Sequence, residues 1–140
     1  MVRFLVVILA VSALLAFCGC QAYTTGLKQS TDRADETTAI AALHAIALAE
    51  RTYSVSNEGN YGTLAQLSAA GYLDSRFASD KPLKDYALTL TVNSGSDAGY
   101  SCLADPSDGR AGRHFFLDST SGLIHVNDTQ PASTSDPATQ

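Results

Sequence analysis

Hydrophobic and polar positions follow three successive patterns along the chain. Residues Phe4 to Phe17 form an apolar run in which Ser12 is the only polar residue. Gln21 to Thr31 is polar and keeps no period, which predicts a tether. From Asp32 the period becomes helical. Ala39, Leu43, Ile46, Ala49 and Tyr53 recur at spacings of four and three, and Ile40 and Ala47 widen the stripe. Asp32 is placed to cap this helix, with Asp35 and Glu36 in the first turn, where the helix dipole favours acids. Asn57-Glu58-Gly59-Asn60 stops it, so a helix is predicted over about residues 33–56.

Thr63 then caps a short helix that reaches about Ala70, and Gly71 ends it. From Tyr86 the period changes to two. Tyr86, Leu88, Leu90 and Val92 alternate with Ala87, Thr89 and Thr91, the mark of a half-buried strand. Asn93 to Asp97 is a turn, and Gly99 to Ala104 a second strand. After the loop Asp105 to Gly112, a third strand (Arg113 to Asp118) turns at Ser119–Gly122 into a fourth (Leu123 to Val126). The remaining NDTQPASTSDPATQ holds no large apolar residue, so 128–140 is expected as a disordered tail. The predicted class is α+β: a long N-terminal helix on a four-stranded antiparallel sheet, one domain over residues 32–127.

Composition narrows the function classes. The 140 residues carry 9 basic and 14 acidic side chains, a net charge of -5. Nucleic-acid binding needs a basic surface that displaces counterions, so no nucleic-acid partner is expected. Part of the 45% apolar content lies in the first seventeen residues. A short positive region (the terminal amine and Arg3) precedes that run, which is too short for a spanning helix and suits a signal peptide.

The run ends in Phe17-Cys18-Gly19-Cys20, which resembles a bacterial lipoprotein box. The resemblance implies a leader over residues 1–19, lipidation at Cys20 and a tether over 20–31. Gln21, a non-Asp residue after the Cys, resembles outer-membrane lipoproteins. Several acyl chains on one Cys would hold the protein to a membrane, each buried CH₂ contributing about 0.8 kcal/mol.

The order of elements is similar to that of type IV pilins and type II secretion pseudopilins. Ala39-Ile40-Ala41-Ala42-Leu43-His44-Ala45-Ile46 followed by Tyr53 resembles the second half of the pilin helix. Gly59-Asn60-Tyr61-Gly62-Thr63-Leu64, then Leu67 and Gly71-Tyr72-Leu73, resembles the connecting segment. Gly99-Tyr100 with Ala104-Asp105-Pro106, and Gly112-Arg113-His114-Phe115-Phe116-Leu117-Asp118 with Gly122-Leu123-Ile124, resemble its strands. The resemblance implies a pilin-like head. One departure matters: the Gly, aromatic or Met, and Glu that open a mature pilin helix are missing, and a lipobox stands in their place. A head without that half-helix does not join a filament by the usual helix packing.

Candidate chemistry is sparse. His44, His114 and His125 lie far apart without ligand spacing, although His114 and His125 are placed to face one another across the last hairpin as a metal pair. Asp105 and Asp108 sit in a Pro/Gly loop and offer oxygens to Ca²⁺. Some pseudopilins bind Ca²⁺ in this region, but the spacing is not that of an EF-hand. Cys102 reads as a small buried hydrophobe, with an intermolecular disulfide as the alternative. Glu50 and Glu58 read as residues of an exposed helix face. No nucleophile elbow, phosphate loop or H-E-x-x-H motif is present, so no enzyme and no cofactor are expected.

The expected protein is a pilin-like lipoprotein of the bacterial cell envelope, at the outer membrane, held through lipid on Cys20. Its role is structural or protein-binding, toward a pilus component, a secretion component or another copy of itself. The alternatives are an inner-membrane pseudopilin with an uncleaved anchor and a small periplasmic ligand-binding lipoprotein.

Overall fold

The computed structural model describes residues 2–79, 81–110 and 112–139, with side chains from Leu27 onward except that of Asp108. Two compact units are present, residues 1–34 and residues 35–140. The expected leader over residues 1–19 and the lipidation site Cys20 fall where side chains lie outside the described residues. Among the described residues no helix is long and apolar enough to cross a membrane.

The first unit is the leading part of α1 (Val2–Ser56). Gln21–Thr31, expected as a tether, is therefore helical, and the helix does not begin at Asp32. Between Cys20 and Gly59 the chain has no Pro and one Gly, Gly26, so nothing stops the helix from propagating. The polar side chains that suggested a tether bond to the helix itself: Ser30 Oγ and Thr31 Oγ1 both donate to the Leu27 carbonyl, at 2.7 and 3.0 Å.

In the second unit the rest of α1 covers a five-stranded antiparallel sheet of order β1-β2-β3-β4-β5. The strands are β1 (Tyr86–Asn93), β2 (Gly99–Pro106), β3 (His114–Asp118), β4 (Ile124–Asn127) and β5 (Ala138–Thr139). The α+β class holds, with five strands where four were expected. α1 ends where Glu58 and Gly59 turn left-handed, at φ 56° and 86°. Gly59 N then donates to the Ser54 carbonyl. A short helix α2 (Leu64–Ala69) follows behind a capping box, Thr63 Oγ1 accepting from Gln66 N and Gln66 Oε1 accepting from Thr63 N.

The core follows from the two periods. Ala39, Ala42, Leu43, Ile46 and Ala49 of α1 form one buried cluster with Leu67, Leu73 and Phe77 and with the inward residues Tyr100, Cys102, Ala104, Phe115, Leu117 and Ile124 of the sheet. The alanines let the helix backbone lie close to the strands, while Leu43, Ile46 and Phe115 fill the layer between them. Each such large side chain contributes about 1.5–3 kcal/mol by leaving water.

The segment expected as a disordered tail supplies the fifth strand. Ile124 pairs with Thr139 and His125 with Ala138, and Val126 N donates to the Pro137 carbonyl at 2.9 Å. Its small polar residues close turns. Asn127 Oδ1 accepts from the amides of Thr129 and Gln130. Asp136 Oδ2 accepts from Ser133 N and Oγ, and Asn127 Nδ2 reaches Asp136 Oδ1 at 2.8 Å. Residues read as unable to form a core instead satisfy their hydrogen bonds locally and hold an edge strand.

Candidate functional site

The stripe of α1 that faces the sheet includes a carboxylate. Glu50 lies four residues beyond Ile46 and is fully buried (0% exposed), which corrects its placement on an exposed helix face. Oε2 accepts a hydrogen bond from Gly62 N at 2.9 Å, and Oε1 has no partner among the described residues. Gly62 comes close because the Tyr53 ring lies over it: a Cβ there would sit 3.1 Å from that ring. Glu50 thus ties the Gly59–Thr63 connection to the helix that precedes it.

Burial pushes the Glu50 carboxyl above its ordinary value, and the Gly62 amide only partly offsets this. Its neighbours on β2 respond. Burial, then Glu50 and Tyr61, push the Tyr100 phenol up to about 12. Burial, then Glu50, push the Cys102 thiol up to about 12. Both groups therefore stay protonated at neutral pH, and a thiol in that state is not a nucleophile. Cys102 is fully buried, as expected of a small hydrophobe, so the intermolecular disulfide has no accessible sulfur to start from.

Next to this cluster a crevice of about 150 Å³ is lined by Arg51, Tyr61, Tyr100, Asp118 and Ser119. The rings of Tyr61 and Tyr100 meet edge to face at 5.1 Å. Ser119 Oγ accepts from Tyr100 N at 3.1 Å. Burial alone would raise Asp118, but the amide and hydroxyl of Ser121 and the amide of Thr120 hold it below its ordinary value. That carboxylate closes the turn between β3 and β4.

The histidines do not assemble. The register sets His114 opposite Asn127 and His125 opposite Phe116, so the expected pair is diagonal. Each has its own acceptor: His114 Nδ1 lies 2.6 Å from Asp105 Oδ1, and His125 Nδ1 lies 2.7 Å from the Asp136 carbonyl oxygen. A carbonyl only accepts, so Nδ1 of His125 carries the proton, and Nε2 is left buried without a partner among the described residues. His44 is exposed on α1. Asp105 faces His114 and the side chain of Asp108 lies outside the described residues, so the two are not seen to share a cation. Among the described residues no group of three or more His, Cys, Asp or Glu is placed to hold a metal ion.

Next to His114 in the chain, Arg113 pairs with Glu36, its Nε and Nη2 both donating to Glu36 Oε2 at 3.0 and 2.8 Å. The bond to Glu36 raises the guanidinium further, against the opposing effect of burial. This pair fastens the start of the sheet-facing helix to the entry of β3.

Comparison with known protein families, curated proteins and solved structures returns no match.

Proposed function

We propose that the chain is a pilin-like lipoprotein of the bacterial cell envelope, held through lipid on Cys20 at the outer membrane, with a structural or protein-binding role. The observation that carries the protein-binding part is the outward face of α1. Ala41, Leu48 and Val55 follow one another at seven-residue spacing opposite the sheet, and Leu48 and Val55 are 66% and 83% exposed. A helix that covers a sheet on one side normally turns polar residues to water on the other. Large apolar residues on that face favour contact with a partner, a pilus or secretion component or another copy of the chain. The helix-then-meander order agrees with the resemblance to pilins and pseudopilins.

One observation favours a second reading. Helix α1 is continuous through Gln21–Thr31, as suits an inner-membrane pseudopilin that keeps its N-terminal segment as an anchor. Mass spectrometry of the mature N-terminus separates the two. A chain beginning at Cys20 with added acyl mass is expected. An intact Met1–Phe17 segment would overturn the lipoprotein reading in favour of the anchor.

A further inference from the structure

The sheet ends at β1, and among the described residues most of this edge has no strand beside it. Ser107 N donates to the Asp85 carbonyl at 2.8 Å, which fixes the alternation along the pair. The odd-numbered residues Ala87 to Asn93 bond to β2, and Tyr86, Leu88, Leu90 and Val92 turn their amides and carbonyls outward. Tyr86 is taken by Leu83, each amide donating to the other's carbonyl. Beyond it no strand pairs with β1 among the described residues. Three usual protections are missing from the strand itself. The strand reads YALTLTVN, with no charge and no Pro, and its register with β2 runs from Tyr86 to Asn93 without a bulge.

A groove of about 470 Å³ follows this edge. Ala87 and Thr89 from one face of the strand line it together with Leu88 and Leu90 from the other, and only the strand edge is common to both faces. Its opposite wall carries Leu64 of α2, Phe77 and Leu83, an apolar surface suited to alternate side chains of an added strand. The charged residues that line it, among the described residues, are both basic: Arg76 and Lys81. The Arg76 guanidinium lies over the Phe77 ring, 5.5 Å from its centre, and its ion pair with Asp74 is long (3.8 Å) and exposed. Lys81 donates its backbone amide to Ser79 Oγ. Asp80, which precedes Lys81 in the sequence, lies outside the described residues.

We infer that the groove between β1 and α2 takes an extended acidic peptide, which adds to the sheet as a sixth strand beside Leu88 and Leu90. Main-chain bonds supply the affinity, the apolar wall selects the alternation, and Arg76 and Lys81 select the charge. The inference rests on the protein-binding part of the function proposed above and is independent of the anchor.

The test is a titration of the full chain in detergent with fluorescent ten-residue peptides of alternating Val and Thr that end in Asp-Glu or in Lys-Lys. The acidic peptide is expected to bind, to protect the amides of Leu88 and Leu90 from hydrogen exchange, and to weaken as salt rises. Leu90→Pro removes an outward amide and trims a half-buried side chain of the groove without breaking a β1–β2 bond, so binding should fall by about tenfold or more while thermal unfolding stays cooperative. The double change Arg76→Glu and Lys81→Glu leaves the strand intact and should reverse the preference between the two peptides. Equal binding of both peptides would overturn the proposal. So would protection confined to the α1 face around Leu48, or a concentration-dependent dimer that buries β1 and excludes peptide. Each of those outcomes leaves the N-terminal mass, and with it the anchor, undecided and separately testable.

Discussion

The two edges of the sheet are finished in opposite ways. At one, β1 exposes an uncharged strand of eight residues without a bulge. At the other, β4 is covered by a β5 of only two residues, entered through Pro137 and strapped down by Asn127, Ser133 and Asp136. The strand with the stronger β propensity is the one left open, and a stretch of turn-forming residues closes the other. Edge protection here comes from side-chain hydrogen bonds and an imino residue, not from strand-forming side chains. A short edge entered by Pro invites no further pairing; a long one without charge, Pro or bulge does.

The largest effect should come from removing what both edges share. Phe115 lies fully buried on the central strand β3, and Phe115→Ala should cost about 3–5 kcal/mol in denaturant unfolding. If only one edge unfolded and the other stayed protected, the two would be separate units and the comparison would fail.

A proline scan then tests the open edge. Thr91→Pro removes a bond to β2 and should cost about 3 kcal/mol, whereas Val92→Pro removes an outward amide and a half-buried side chain and should cost about 1 kcal/mol. Equal losses would mean that the outward groups of β1 are already engaged.

At the strapped edge, Asn127→Ala should cost about 1 kcal/mol and speed hydrogen exchange at Val126, whose amide bonds to Pro137. Acid should do the same. Hydrogen bonds from Asn127 and from Ser133 hold Asp136 below its ordinary 3.8. Its contribution is therefore present above that value and lost as pH falls through the lower folded value. Amides of β1 should not respond.

The smallest effect lies between the edges and has the opposite sign. Burial raises Glu50 above 4.5, so its ionisation weakens the fold as pH climbs from 4.5 through the folded value. Glu50→Gln keeps an oxygen for Gly62 N and should raise Tm relative to the parent at pH 8, with no gain at pH 4. A gain that is equal at both values would show that packing, not charge, is responsible.

Much of this arrangement is legible in the chain. The spacing of Leu43, Ile46 and Tyr53 marks the buried face of α1, and the alternation from Tyr86 to Val92 marks β1. Glu50 was also within reach, since it continues the Leu43–Ile46 stripe at the next step of four. What argues against burial is that a carboxylate seldom enters a core without a partner. The partner is a backbone amide twelve residues on, which no side-chain pattern announces. The fifth strand was missed for a related reason. Ser, Thr, Asp and Pro mark a disordered tail and a set of tight side-chain turns with the same composition. The helix starts before Asp32 because Ser30 and Thr31 bond back to the Leu27 carbonyl and the helix runs on through Asp32 without a cap.

What the sequence determined by itself are the local periods: 3.6 along α1 from Ala39 to Tyr53, two along β1, and the turns between the strands. These follow from backbone geometry and need only near neighbours. Only the tertiary structure decided that Glu50 is buried, that Cys102 is sealed, that His114 and His125 stand diagonally and that β5 closes one edge while β1 stays open. Each of these depends on a partner distant in sequence, because burial and hydrogen bonding are properties of neighbourhoods in space and composition along the chain does not specify them.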